Sequence, residues 1–134
     1  MSQENVAAVN AAFDALARRG LDGLSEHWTD DVHHRAIEGA LDDRGPMHGK
    51  DAVRAYLQDW IDMFDDFKVE PVELIDAGED NVVAVFRFSG RAKLSGVETD
   101  QTAAVVYTIR DGKIAGGLEY ATRGEALKAA GLSE

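Results

Sequence analysis

The hydrophobic period of the chain changes from helical to strand-like just after residue 65, and this change limits the fold more than any other feature. Over residues 50–65 the apolar side chains recur every three or four positions, which predicts an amphipathic helix. The pattern beyond it predicts strands at residues 67–76, 81–94, 99–110 and 113–121, with Asp111-Gly112 as a two-residue hairpin turn. A helix followed by a run of antiparallel strands favours an α+β fold with helices on one face of a curved sheet.

The N-terminal part of the chain predicts more helix and one further strand. A helix over residues 5–19 is expected to end at Gly20. Asp22 then caps a second short helix, which has Leu24 and Trp28 on one side and ends at Asp30-Asp31. A strand is expected over residues 32–38. A last helix is expected over residues 124–130. A length of 134 residues suits a single domain over residues 1–134.

Charge and composition exclude several classes of function. The net charge of -11 repels nucleic-acid phosphates and anionic lipid headgroups, so we expect neither partner. The chain has no cysteine, which excludes disulfides and thiolate metal sites. It shows no apolar run long enough to span a bilayer and no signal-peptide pattern, so a cytoplasmic location is expected.

Several short motifs resemble one known superfamily when they are taken in order. They are Leu21-Asp22-Gly23-Leu24, Trp28-Thr29-Asp30-Asp31-Val32, His48-Gly49-Lys50-Asp51-Ala52-Val53-Arg54-Ala55-Tyr56 and Arg110-Asp111-Gly112-Lys113-Ile114. The chain resembles the SnoaL-like members of the nuclear transport factor 2-like (NTF2-like, ketosteroid isomerase-like) superfamily. The resemblance implies a cone-shaped fold, with a curved antiparallel sheet around the long helix, two N-terminal helices, a pocket at the open end and a homodimer. The superfamily includes both enzymes and non-catalytic modules, so the resemblance predicts a fold rather than a reaction.

The resemblance also shows which known catalytic groups are missing. The tyrosine, the aspartate base and the protonated aspartic acid of the steroid-isomerase branch fall on Phe13, Ala36 and Val105, which cannot transfer a proton. The arginine and the two acids of the limonene-type epoxide hydrolases fall on Arg87, Glu119 and Ser89. The first mechanism is therefore absent, and the second is incomplete.

Arg87 and Glu119 remain as candidate catalytic residues. Arg87 alternates with Val83 and Val85 along one strand, which predicts that its guanidinium enters an apolar enclosure. A buried guanidinium needs an acidic partner, and Glu119 is the best candidate. The alternative is an ion pair at the surface or at a dimer interface, and the pattern does not decide between the two.

His34 is the third candidate. It shares its strand parity with Val32 and Ala36, the parity that faces the pocket in the relatives, so it could act as a general base. The alternative is a hydrogen-bonded histidine of the pocket wall. His33 points to the other face, so the two adjacent rings cannot chelate one metal ion, and no metal site is expected.

Four aromatic residues are candidate ligand-binding residues. Trp28, Tyr56, Trp60 and Phe64 have the spacing of core side chains, and in a cone the same face can also line a cavity. Gly116-Gly117 lies inside a predicted strand, which indicates a bulge or a close approach of another stretch of backbone.

Two hypotheses for function follow, and the enzyme status stays open between them. The first is a cofactor-independent cyclase, isomerase or epoxide-hydrolase-like enzyme that acts on an apolar, oxygen-bearing small molecule through His34, Arg87 and Glu119. The second is a non-catalytic ligand-binding or dimerisation module. The residues at positions 13, 36, 89 and 105 favour the second hypothesis, and the three candidate residues favour the first.

Overall fold

The computed structural model describes residues 2–132, which form three helices and one six-stranded curved sheet. This is the predicted α+β class. The elements in chain order are α1 (Ser2–Ser25), β1 (Trp28–Arg35), β2 (Met47–His48), α2 (Lys50–Asp62), β3 (Phe64–Asp76), β4 (Asn81–Ala92), β5 (Glu98–Arg110), β6 (Lys113–Tyr120) and α3 (Arg123–Ala129).

The strands lie in the order β2-β1-β6-β5-β4-β3. The three consecutive pairs from β3 to β6 are antiparallel, as is β1 with β2. The β1–β6 pair is parallel, which the sequence did not predict. No hairpin joins these two strands, and alternation along a single strand carries no information about the direction of its neighbour.

Two helix ends differ from the sequence prediction. Gly20 interrupts α1 with φ 65° and ψ -151°, so the two predicted N-terminal helices follow each other across a kink. The second part ends at Ser25, before the predicted end at Asp30-Asp31, and Trp28, which was expected on the helix, opens β1. Helix α2 ends at Asp62, so Phe64, which was expected on the helix, begins β3.

At the predicted hairpin, Asp111 and Gly112 both have positive φ angles (53° and 76°), the conformation of a tight hairpin turn.

The sheet is buried on both faces along β4. Val82 and Ala84 join the main core with Phe13 of α1 and Tyr56 of α2. Val83 and Val85, with the opposite parity, pack in a second cluster that includes Leu127 of α3 and Ala104 of β5. The inner face, toward α1 and α2, is therefore distinct from the outer face, which α3 partly covers.

Within residues 2–132, no helix is both long and apolar enough to cross a bilayer.

Candidate functional site

A cavity of about 810 Å³ lies on the inner face of the sheet, between the strands and the two larger helices. Most of its wall is apolar. Side chains from α1, β1, α2 and β4 contribute to it, among them Phe13, Leu24, Trp28, Trp60 and Phe86. A cavity of this size and lining is typical of sites for small organic molecules.

His34 and Glu119 meet in the wall of this cavity. His34 Nε2 lies 2.6 Å from Glu119 Oε2, and the two side chains are only 10% and 15% exposed. The parallel register places His34 of β1 opposite Gly117 of β6, two residues before Glu119, so both side chains project from the inner face. The structure therefore brings together two of the three predicted catalytic residues.

Gly117 makes the contact between the two strands possible. A Cβ atom at position 117 would lie 2.8 Å from His34 Nδ1 and 3.2 Å from Cδ1 of Tyr107. A Cβ atom at Gly116 would lie 2.0 Å from the ring of His33. Other groups do approach the Gly116-Gly117 pair closely, but they are the two adjacent histidine rings and not the backbone that the sequence predicted.

Tyr56 connects this pair to a second carboxylate. Its hydroxyl oxygen lies 2.9 Å from Glu119 Oε2 and 3.1 Å from Asp42 Oδ2. Burial, reinforced by the negative charge of Glu119, raises the pKa of Tyr56, so the hydroxyl keeps its hydrogen over the neutral range. One hydrogen atom therefore serves two acceptors. The indole Nε1–H of Trp60 donates to the same Asp42 oxygen at 3.0 Å.

Asp42 is held in place by the loop around it. The neighbouring Asp43 accepts hydrogen bonds from Arg35 Nη2 at 3.1 Å and from the backbone N–H groups of Gly39 and Gly45 at 2.9 Å each. Together these donors hold the pKa of Asp43 well below its usual range. The folded loop leaves Asp42 facing the cavity, where sequence reasoning had missed it. Adjacent acids beside glycine and proline look like a solvated turn, and only the contact with α2 distinguishes Asp42.

Tyr107 of β5 completes the polar lining near Glu119. Burial raises the pKa of its hydroxyl, and the charge of Glu119 adds to this effect. Tyr107 therefore remains a neutral hydroxyl group at physiological pH.

Arg87 does not belong to this site, and the predicted Arg87–Glu119 pair is wrong. Arg87 follows Val83 and Val85 onto the outer face, where its side chain is 51% exposed and makes a bidentate ion pair with Asp100 at 2.7 and 2.6 Å. Glu119 lies opposite the core residue Val105 and projects from the inner face. The stripe of Val83 and Val85 is apolar because α3 covers it, whereas Arg87 lies beyond the end of that cover.

The predicted ligand-binding aromatics divide into three groups. Trp28 and Trp60 line the cavity. Tyr56 is 1% exposed, and its hydroxyl contacts the carboxylates of Asp42 and Glu119. Phe64 stacks on Trp60 with ring centroids 6.0 Å apart, but it is not a wall residue of this cavity.

The remaining histidines form no metal centre. His33 and His48 pair across β1 and β2, with ring centroids 6.4 Å apart. In the stretch 2–132 no group of three or more His, Asp or Glu residues could hold a metal ion.

Comparisons with known proteins identify the family of the chain and, separately, its fold. The SnoaL-like domain family matches residues 9–116. The structure of TerC co-crystallised with polyporic acid has a TM-score of 0.74 at 20% identity, covering 96% of this chain and 98% of that one. A Mycobacterium tuberculosis protein in complex with estradiol-17β-hemisuccinate has a TM-score of 0.73 at 17% identity, over 90% and 95% of the two chains.

A third structure, a putative SnoaL-like polyketide cyclase from Jannaschia sp., has a TM-score of 0.75 at 21% identity, over 96% of this chain and 92% of that one. No curated protein sequence matches the chain. At these identities the three structures establish the fold alone.

Proposed function

Because this chain belongs to the SnoaL-like domain family, we propose that it binds an apolar small molecule in its cavity and exchanges a proton with it at Glu119. One observation carries the proposal. The carboxylate of Glu119 lies in the wall of a largely apolar cavity, with one oxygen fixed at 2.6 Å from His34 and 2.9 Å from the Tyr56 hydroxyl.

The binding half of the proposal rests on the cavity. Its volume of about 810 Å³ and its aromatic walls suit a ring-containing organic molecule of drug size. Two proteins of the same fold were crystallised with ring-containing small molecules, polyporic acid and estradiol-17β-hemisuccinate. Both facts support an organic ligand of that size.

The catalytic half rests on how Glu119 is held. Two donors, His34 Nε2–H and the Tyr56 hydroxyl, reach the same oxygen, Oε2. The other oxygen, Oε1, accepts no hydrogen bond from residues 2–132 and can take a proton from the ligand. A carboxylate with a fixed orientation in a cavity of low polarity has the properties of a general base. His34 stabilises its charge and can share the transferred proton through the 2.6 Å contact.

The reaction class that fits is proton abstraction from a carbon next to a carbonyl group, the step that begins an isomerisation or an aldol-type cyclisation. The C–H bond breaks, its proton goes to Glu119, and its electron pair becomes the enolate of the ligand. The neutral hydroxyl of Tyr107 lines the same cavity and is a donor for the oxygen that gains charge. This chemistry needs no cofactor.

Hydrogen–deuterium exchange of β-tetralone in heavy water tests the catalytic half without knowledge of the natural substrate. We expect the protein to accelerate deuterium uptake at the acidic carbon, followed by NMR. Glu119→Gln should lower this acceleration by about 100-fold or more while β-tetralone still binds. Glu98→Gln is the matched control, because Glu98 is 73% exposed in an ion pair with Arg91. Equal exchange by the wild type and by Glu119→Gln would contradict the proposed base.

A non-catalytic ligand-binding module is the second candidate, and a specific observation favours it. The resemblance matches the isomerase groups of the related branch to Phe13, Ala36 and Val105, and these residues are 7%, 2% and 1% exposed and belong to the apolar core. Binding of β-tetralone without accelerated exchange would support this module and exclude the general base.

We also propose that the protein is a homodimer. The outer face is only partly covered by α3, and Leu118 of β6 remains 44% exposed there. An antiparallel sheet with an open apolar face is commonly covered by a second subunit. Light scattering at micromolar concentration should give twice the mass of one chain, and the mass of a single chain would contradict the dimer.

A further inference from the structure

The buried polar end of the cavity contains more hydrogen-bond acceptors than hydrogen atoms to fill them. Four contacts hold the two carboxylates: His34 and Tyr56 on Glu119 Oε2, and Tyr56 and Trp60 on Asp42 Oδ2. Tyr56 has one hydroxyl hydrogen for its two contacts, so at any moment one of the two carboxylates lacks that donor.

The second oxygen of each carboxylate also lacks a hydrogen-bond donor. Asp42 Oδ1 and Glu119 Oε1 accept nothing from the stretch 2–132, although both residues line the cavity. Neither oxygen is among the fully buried atoms that lack a partner, so solvent can reach both, and a ligand that displaces this solvent leaves the acceptors unsatisfied unless it brings a donor. A ligand that donates a hydrogen bond at this end should therefore bind more tightly than a ligand that brings another acceptor.

The other polar groups do not reverse this preference. Lys68, Glu70, Gln101 and Thr102 line the cavity from exposed positions on β3 and β5, and there the charge of Glu70 opposes that of Lys68. Arg44 lies over the ring of Tyr56 at 5.4 Å, and its guanidinium is engaged by Asp59 at 2.9 Å. Tyr107 is the remaining neutral hydroxyl inside.

From this arrangement we infer that the cavity selects apolar, ring-sized ligands that carry a hydrogen-bond donor, a hydroxyl or ammonium group, and discriminates against ligands that carry a carboxylate. The donor is placed between Asp42 and Glu119, so Asp42 is a specificity-determining residue. The inference rests on the proposed function, because it assigns a ligand class to the same cavity.

Four probes with one ring system test it: β-methylnaphthalene, β-naphthylmethanol, β-naphthylmethylammonium and β-naphthoate. Equilibrium dialysis at neutral pH gives their dissociation constants. We expect the alcohol and the ammonium ion to bind about tenfold or more tightly than the methyl compound, and the carboxylate to bind more weakly than it. This comparison needs only the wild-type protein.

The variant Asp42→Asn tests whether Asp42 is responsible for the preference for ligands that carry a donor. The amide presents N–H groups where the carboxylate presented an acceptor, so the ratio of alcohol to methyl affinity should fall by about tenfold. Asp14→Asn, on the exposed face of α1, should leave the ratio unchanged.

The outcomes separate the two proposals. If all four probes bind with similar constants, or if the carboxylate binds as tightly as the alcohol, the ligand class is wrong and the cavity is still a binding site. If Asp42→Asn folds with a wild-type melting curve and keeps the wild-type ratio, the assignment to Asp42 is wrong. If none of the four probes binds, the proposed function fails and the inference fails with it.

Discussion

His34 Nε2 lies 2.6 Å from Glu119 Oε2, although the two residues are 85 positions apart in the chain. The parallel pairing of β1 with β6 creates this contact, because it sets His34 beside Gly117, whose missing side chain leaves room for the imidazole ring. The site therefore depends on a glycine that itself carries no chemistry.

The two adjacent glycines of β6 provide the first prediction. Gly117→Ala places a methyl group 2.8 Å from Nδ1 of the buried His34 ring, so it should destabilise the protein by about 1–3 kcal/mol and weaken ligand binding. Gly116→Ala meets the ring of His33, which is exposed and can turn away, so its cost should be smaller. Urea unfolding of both variants gives the comparison, and a larger loss for Gly116→Ala would contradict it.

Tyr56→Phe provides the second prediction. The variant keeps the buried ring but removes the hydroxyl hydrogen that serves Asp42 and Glu119. We expect a loss of about 1–3 kcal/mol in the free energy of unfolding, since the one donor that the two carboxylates share is removed. We also expect a lower rate of deuterium exchange into β-tetralone, because Glu119 loses one of its two fixing contacts. A variant with wild-type stability and wild-type exchange would show that Tyr56 does not position Glu119.

Much of the fold could be predicted from the sequence, because local periodicity encodes it. The helical spacing before residue 65 and the strand alternation after it predicted α2 and the strands β3 to β6, and the Asp111-Gly112 turn fixed one hairpin. The parallel β1–β6 pair and the two-residue strand β2 could not be predicted in this way, since they depend on contacts between distant segments.

The site was predictable only in part, for the same reason. The parity of His34 correctly indicated the inner face. The parity of Arg87 was read correctly as sharing the face of Val83 and Val85, but that face is the outer one, because α3 buries part of it. The helices that pack on the sheet decide which of its two buried faces lines a cavity. The residue pattern of a single strand does not show where those helices lie.

Double-mutant cycles provide the third prediction. His34 and Glu119 are in direct contact and nearly buried, so the effects of His34→Ala and Glu119→Ala on the free energy of unfolding should differ from additivity by about 0.5–3 kcal/mol. Arg87→Ala combined with Glu119→Ala should be additive, since the two side chains project from opposite faces of the sheet. Urea unfolding measures both cycles. Coupling between positions 87 and 119 with none between 34 and 119 would contradict the site.

Alkaline pH provides the last prediction. Burial and the charge of Glu119 raise the pKa of Tyr107 in the folded protein, whereas in the unfolded chain the hydroxyl ionises near its ordinary value of about 10. The folded state therefore holds more protons above that pH, so the stability from the neutral hydroxyl is present below about pH 10 and is lost as the pH rises further. The free energy of unfolding should fall more steeply in the wild type than in Tyr107→Phe, by as much as about 1.4 kcal/mol per pH unit. Comparing the two proteins subtracts the other groups that titrate in this range. Equal slopes in urea titrations at a series of alkaline pH values would show that Tyr107 is not shielded in the cavity wall beside Glu119.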